Sequence, residues 1–293
     1  MAEVLAVLDK GVVNSNEALL CGDDLGVLRG DGVFETVNVR AGVPFLLDEH
    51  LTRMAGSARR LDIDLPDADR LRTLARQACE GFGDAREGAL RLICTRGLEA
   101  GSAPTVYATV NPVGESVRLA RREGLRMTGL SMGYTVDARA RAPWLLGGAK
   151  CLSYAATMAV QRYAKEAGYD DALWVSEDGF ALEGPTSTLV WLDGDTLCTV
   201  PLDTGILFGT TAAYLFEHAG DVGLRTKELR IRPEELAGAD GVWMTSSVRG
   251  VAPVRSLDLT RMPRGGDAPT QIEFGASAFG AKLQGLAGFP LPT

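Results

Sequence analysis

The sequence predicts a mixed α/β (α+β) chain built from two domains, and three observations carry that expectation. Its 293 residues exceed what one ordinary hydrophobic core fills and are enough for two modest ones. Stretches with the two-residue period of a strand are interleaved with stretches of helical period along the chain. The pattern breaks at Asn111-Pro112-Val113-Gly114-Glu115, which places a linker at 113–122 between an N-terminal domain, 1–112, and a C-terminal domain, 123–293.

The elements follow in order. Val4-Leu5-Ala6-Val7-Leu8 reads as a strand ending in the Asp9-Lys10-Gly11 turn. Val33–Val39 is a clear β run closed by Ala41-Gly42. Asp48 is placed to cap a helix whose apolar stripe holds Leu51, Met54, Ala55, Ala58 and Leu61, with Arg53 and Arg60 on the same helix. A second helix is expected over Ala68–Phe82, then strands at Ala89–Thr95 and Thr105–Val110. Beyond the linker come a strand at Leu125–Ser131 and a helix from Cys151 to Ala167 with Gly168 as its C-cap. Two hairpins turn at Glu177-Asp178-Gly179 and Asp193-Gly194-Asp195. A helix starts near Thr210, and a strand at Gly241–Thr245 runs into the loop 246–250. The Gly- and Pro-rich tail after Arg261 holds one short helix, Gln271–Leu283.

Composition narrows the function classes. Hydrophobic residues make up 46% and charged residues 23%, the balance of a water-soluble globular chain. No apolar run approaches the roughly 20 residues of a membrane-spanning helix. The net charge of −8 opposes binding to nucleic acid or to an anionic membrane. MAEVLAVLDKGVV lacks a basic n-region and a small-residue cleavage site, and five cysteines show no paired spacing. A cytoplasmic location is therefore expected. His50 and His218 stand in no metal-ligand spacing, so no metal site is expected.

Both nucleotide-binding readings fail. Gly30-Asp31-Gly32 precedes a strand rather than opening a helix, and Glu35 stands where a third glycine would fall. Gly147-Gly148-Ala149-Lys150-Cys151 lacks the spacing of a phosphate loop. Alone, Lys150 would read as a lysine snorkelling to the surface. Three later features change its meaning. Glu183 ends a strand beside small residues, where a carboxylate can meet a flat heteroaromatic ring. Gly209-Thr210-Thr211 opens a helix with free amides and two hydroxyls, an anion site. Thr245-Ser246-Ser247 makes a hydroxyl-rich turn after a strand. Together they offer an amine, an acid and two phosphate-binding turns.

Those residues, in that order, resemble the fold-type IV pyridoxal-phosphate (PLP) enzymes, the class IV aminotransferases. The group includes branched-chain and D-amino-acid aminotransferases and aminodeoxychorismate lyases. GDGVFET (Gly30–Thr36) resembles the early signature strand and EHLTRMAGSARRL (Glu49–Leu61) the helix with the phosphate-binding arginine. AKCLSYAATMAV (Ala149–Val160) resembles the lysine segment and LEGPTSTLV (Leu182–Val190) the acidic segment. ILFGTTAAYLF (Ile206–Phe216) and TSSVRGVAPV (Thr245–Val254) resemble the two phosphate turns.

The resemblance implies a smaller N-terminal α/β domain, a larger C-terminal domain with a mixed sheet or pseudo-barrel, and a homodimer. It implies Lys150 as the Schiff-base lysine, Glu183 as partner of the pyridine nitrogen, and Tyr154 beside the ring hydroxyl. Arg53, Thr210, Thr211, Ser246 and Ser247 would hold the phosphate, and Arg96 would receive a substrate carboxylate. The chain departs from the family at Thr188-Leu189-Val190, where relatives carry Asn, an apolar and an aromatic residue. It departs again at Thr210, usually apolar, and at Ala212, usually basic. RLICTRGLEAGSAPTVY and AKCLSYAATMAVQRYA are more similar to lyases than to branched-chain aminotransferases. The expected activity is thus release of pyruvate and 4-aminobenzoate from 4-amino-4-deoxychorismate. The alternative is transamination of D- or branched-chain amino acids with 2-oxoglutarate. A catalytically idle binding protein on this fold would have no use for Lys150, Glu183 and Arg53 together.

Overall fold

A computed structural model describes residues 2–101, 103–262 and 270–289. The chain divides into two compact units. The first holds the described residues up to Gly114 together with Ala149–Tyr154, and the second holds Glu115–Gly148 and the described residues from Ala155 on.

In the first unit the elements are β1 (Val4–Val7), β2 (Gly11–Val13), α1 (Leu25–Arg29), β3 (Gly32–Arg40), β4 (Val43–Pro44), α2 (Leu47–Leu61), α3 (Ala68–Phe82), β5 (Gly88–Thr95) and β6 (Thr105–Pro112). The strands form one antiparallel sheet in the order β2-β1-β6-β5-β3-β4. Met54, Leu71 and Leu74 from α2 and α3 bury themselves with Val37, Leu90, Leu92 and Val110 of the sheet. Alternate residues of β1, β3, β5 and β6 supply that core, as the two-residue period requires.

In the second unit come α4 (Glu115–Glu123), β7 (Leu125–Ser131), α5 (Ala138–Arg141), α6 (Ala155–Glu166), β8 (Asp171–Val175), β9 (Thr188–Asp193), β10 (Thr196–Thr199), α7 (Thr210–Glu217), β11 (Arg225–Glu228), β12 (Gly241–Ser246), β13 (Gly250–Asp258), β14 (Gln271–Glu273) and α8 (Ala278–Leu286). The sheet runs β11-β10-β9-β12-β13-β7-β8, with β14 on β13. It is mixed: β10/β11, β13/β7 and β7/β8 are parallel, and the other pairs antiparallel. Strand β9 is buried from Thr188 to Leu192. Leu189 and Trp191 enter one core, Val190 and Leu192 a second on the opposite face. A strand packed on both faces has no polar alternation to show.

Four expectations differ from what is found. Asp48 is not the cap of α2. Leu46, with φ 57°, precedes the helix without a side-chain cap, while Asp48 sits in the first turn and pairs with Arg72 of α3 at 2.8 Å. The lysine segment is not helical before Ala155. Phe34 N–H donates to Lys150 O (3.2 Å) and Leu152 N–H to Gly32 O (2.8 Å), so β3 captures the backbone that a helix turn would have used. Most of the stretch read as a linker is the helix α4. Gln271–Glu273 is a strand on β13, and the tail helix starts only at Ala278. The part of the Gly- and Pro-rich tail at 263–269 and 290–293 lies outside the described residues.

Candidate active site

In the first unit, Lys150 lies on the extended segment held against β3. It is 9% exposed, and its backbone N–H donates to Ser57 Oγ at 3.0 Å. The Lys150 Nζ donates to Tyr154 Oη at 3.0 Å and sits 4.2 Å from the centroid of the Phe34 ring. Phe34 and Tyr154 meet edge to face, 5.0 Å apart. The amine thus points between an aromatic face, which attracts a cation, and a phenol. Four residues of spacing, rather than a helix turn, bring Tyr154 to Lys150.

Beside this segment lies a buried charge network that the sequence reading did not find. Glu35 of β3 is fully buried. It accepts from Arg53 Nε at 2.8 Å and Arg53 Nη2 at 2.6 Å, and meets His50 Nδ1 at 2.7 Å. Burial pushes the Glu35 carboxyl up, but the Arg53 guanidinium and the bonds from Arg53 and His50 outweigh it and bring it down to about 2. Burial holds His50 below its ordinary value, against the pull of Glu35, so the ring is neutral at pH 7. A carboxylate only accepts, and Nδ1 therefore carries the proton. His50, Arg53 and Ser57 follow at helical spacing on one face of α2, and Ser57 Oγ donates to Arg53 O at 3.1 Å. That spacing, together with a lone acid inside the apolar run VFETV, was the readable signal.

Arg96 takes a different place from the one expected. Its Nε and Nη2 hold Asp31 at 2.7 and 3.2 Å, Nη1 donates to Asp62 O at 2.7 Å, and Nη2 also donates to Leu61 O at 2.5 Å. The guanidinium closes the C-terminus of α2, where a cation meets orphan carbonyls. Four of its five N–H groups are thus held by Asp31 and the α2 terminus, so the structure uses Arg96 as a clamp on that helix end. Arg91 is exposed.

In the second unit, Glu183 Oε2 accepts the Leu207 N–H at 3.0 Å, and Oε1 accepts from Arg139 Nη1 at 3.3 Å. Arg139 Nε and Ser187 Oγ are buried near it without a hydrogen-bond partner. A Cβ on Gly184 would lie 2.4 Å from Ser187 Oγ, so a larger residue after the acid would have to displace that hydroxyl. Thr188 answers the departure noted in the sequence. Its Oγ1 accepts the Gly209 N–H at 3.1 Å and donates to Leu207 O at 3.4 Å, tying β9 to the approach to α7. Helix α7 begins at Thr210 after an extended Gly209 with no side-chain cap. Thr210 and Thr211 are both buried there, and Ala212 is in the core, where a basic residue would lack water. Ser246 and Ser247 stand at the β12–β13 turn. Ser246 Oγ accepts the Arg249 N–H at 3.3 Å, and Arg249 Nη1 binds the buried Asp171 at 2.6 Å.

Comparison with known proteins identifies the family. The family model for class IV amino-transferases matches residues 32–257. A Mycobacterium tuberculosis protein named bifunctional aminodeoxychorismate lyase / D-amino acid transaminase is 43% identical over 270 residues, covering 89% of this chain and 93% of its own. Two solved structures of a hypothetical aminotransferase from M. tuberculosis each cover 97% of both chains. The PLP-bound form has a TM-score of 0.88 at 40% identity, and the form with alpha-ketoglutarate and PMP has 0.89 at 39%. The chain belongs to the class IV aminotransferases, enzymes of fold type IV that depend on PLP.

The residues present fit that cofactor. A pyridine aldehyde phosphate needs an amine, an acid for its ring nitrogen and amides or hydroxyls for its phosphate. The first unit presents the half-enclosed amine and phenol. The second presents Glu183 flanked by two partnerless buried polar atoms, an uncapped helix start and a hydroxyl-lined turn.

Proposed function

We propose that this chain is a 4-amino-4-deoxychorismate lyase that releases pyruvate and 4-aminobenzoate. The observation that carries the reading is the Lys150 amine, held 3.0 Å from Tyr154 Oη over the Phe34 ring, where a base can work out of bulk water. Bound PLP supplies an aldehyde that captures an amine and a ring that accepts the electrons of a broken C–H bond. Lys150 would hold the cofactor and, once displaced by substrate, take the proton from the carbon bearing nitrogen. Tyr154 would orient that amine and face the ring hydroxyl. Glu183, kept in place by Leu207 N–H and Arg139, would keep the ring nitrogen protonated. Arg53, the α7 start at Thr210 and Thr211, and the Ser246-Ser247 turn would hold the phosphate. Likeness to the bifunctional M. tuberculosis protein supports this substrate.

The second reading is transamination of D-amino acids with 2-oxoglutarate, favoured by that relative's second named activity and by the alpha-ketoglutarate bound in the solved hypothetical aminotransferase from M. tuberculosis. A homodimer in the cytoplasm goes with either. The test has two arms. Borohydride reduction of the yellow protein should leave a pyridoxyl adduct on Lys150, located by mass spectrometry. The purified enzyme should then convert 4-amino-4-deoxychorismate to 4-aminobenzoate. Keto acid from D-alanine and 2-oxoglutarate without any aminobenzoate would replace the first reading by the second.

A further inference from the structure

The turn at Ser246–Gly250 is held by Arg121 of α4 and by the segment around α8. Arg121, in the last turn of α4, donates through Nε to Arg249 O at 3.1 Å and through Nη2 to Val248 O. Its guanidinium lies 4.4 Å from the ring centroid of Phe289, just beyond α8. The same ring covers Gly250, where φ is +72° and a Cβ would come within 2.6 Å of it. Gln284 of α8 is buried, and its Nε2 donates to Arg121 O at 3.0 Å and to Val251 O at 3.1 Å. The C-terminal segment therefore fixes both the arginine that grips the turn and the strand that leaves it.

Amides and hydroxyls bind an anion well only when the backbone that aims them is already in place, because ordering it on binding would cost affinity. Ser246 and Ser247 belong to a turn whose carbonyls at 248 and 249 accept from Arg121. From this geometry we propose that α8 and Phe289 act as a latch, with Arg121 as the positioning residue, that sets how tightly the turn retains a phosphorylated cofactor. The proposal rests on the reading that the Ser246-Ser247 turn takes the phosphate, and it gives the tail of the chain a role in cofactor retention.

The experiment compares the affinity of the full-length apo-protein for PLP with that for pyridoxal, which has the same aldehyde and ring but no phosphate. Arg121→Gln, Gln284→Met and Phe289→Leu should each weaken PLP binding roughly tenfold, the scale of one charge-assisted hydrogen bond, and leave pyridoxal within about twofold. Arg121→Lys should fall in between. The Ser246→Ala/Ser247→Ala pair should likewise lower the preference for PLP over pyridoxal. If that pair loses the preference while the Arg121, Gln284 and Phe289 variants keep it, the latch is wrong and the phosphate reading stands. If the serine pair keeps the preference, the phosphate reading fails and the latch with it. Equal weakening of both probes in the Arg121 variants would reduce the tail to general stability and overturn the proposal.

Discussion

Replacing Glu35 by Gln removes one charge and almost no volume, and the structure sets the size of the effect. Glu35 is the shared acceptor of Arg53 and His50 and is fully buried. A carboxyl brought from 4.5 to about 2 contributes about 3 kcal/mol to folding as the anion, at about 1.36 kcal/mol per tenfold change in affinity for the proton. Its folded value lies below its unfolded one, so this contribution is complete above about pH 4.5 and is lost as pH falls towards 2. His50 is also held low when folded. The unfolded chain thus binds the extra proton first, and stability starts to fall once pH drops below about 6.5.

Glu35→Gln should therefore lose about 3 kcal/mol near pH 7 and converge on wild type in acid. It should flatten the limb below pH 4.5 and keep the one that starts near 6.5. All four tryptophans, Trp144, Trp174, Trp191 and Trp243, lie in the second unit, so none of them reports directly on β3 or α2. The assay is hydrogen exchange of the β3 and α2 amides by mass spectrometry, combined with urea unfolding followed by circular dichroism. An acid limb below pH 4.5 with the same slope in both proteins would refute the argument that Glu35 is an ionised partner of Arg53.

Two further outcomes follow from the same geometry. Tyr154→Phe removes the hydroxyl 3.0 Å from Lys150 Nζ and should lower kcat about fivefold, the equivalent of a hydrogen bond of about 1 kcal/mol, while the borohydride adduct still forms. Arg96→Lys breaks the two-pronged grip on Asp31 and the contacts to Leu61 O and Asp62 O. It should cost about 1 kcal/mol of stability with KM unchanged, because this partly exposed pair is screened by water. A raised KM with unaltered melting would return Arg96 to substrate binding.

How much of this could be read beforehand follows from where the determining partner lies. The helix Ala68–Phe82 and the strand Leu125–Ser131 stand at the expected residues, because their own periodicity decides them. The stretch Cys151–Tyr154 has helical spacing, yet β3, more than a hundred residues earlier, takes its backbone bonds. Asp48 has the chemistry of a cap, but Arg72 competes for it. The candidate site divides in the same way. Lys150 and Glu183 stand inside segments with a recognisable order of residue types. The partners that define their surroundings, Ser57 and Arg139, lie 93 and 44 residues away, and only the fold connects them.

Thr188 shows how a departure from the family pattern becomes informative once the fold is known. Its side chain accepts Gly209 N–H just before α7, and its carbonyl accepts Thr245 Oγ1 at 3.3 Å, one residue before the Ser246-Ser247 turn. One residue of β9 thus braces both segments proposed to hold the phosphate. A Cβ on Gly209 would approach Thr188 Oγ1 to 2.7 Å, so the hydroxyl and the glycine are matched. Thr188→Val keeps the branched shape but strands the Gly209 N–H, at a cost of about 1–3 kcal/mol. Thr188→Ser restores the acceptor and loses only a methyl group. If the bracing sets phosphate affinity, Val should weaken PLP binding while pyridoxal is spared, and Ser should recover most of the loss. Should Val and Ser behave alike, the methyl packing rather than the hydroxyl matters, and Thr188 contributes to the core of the second unit without aiming either turn.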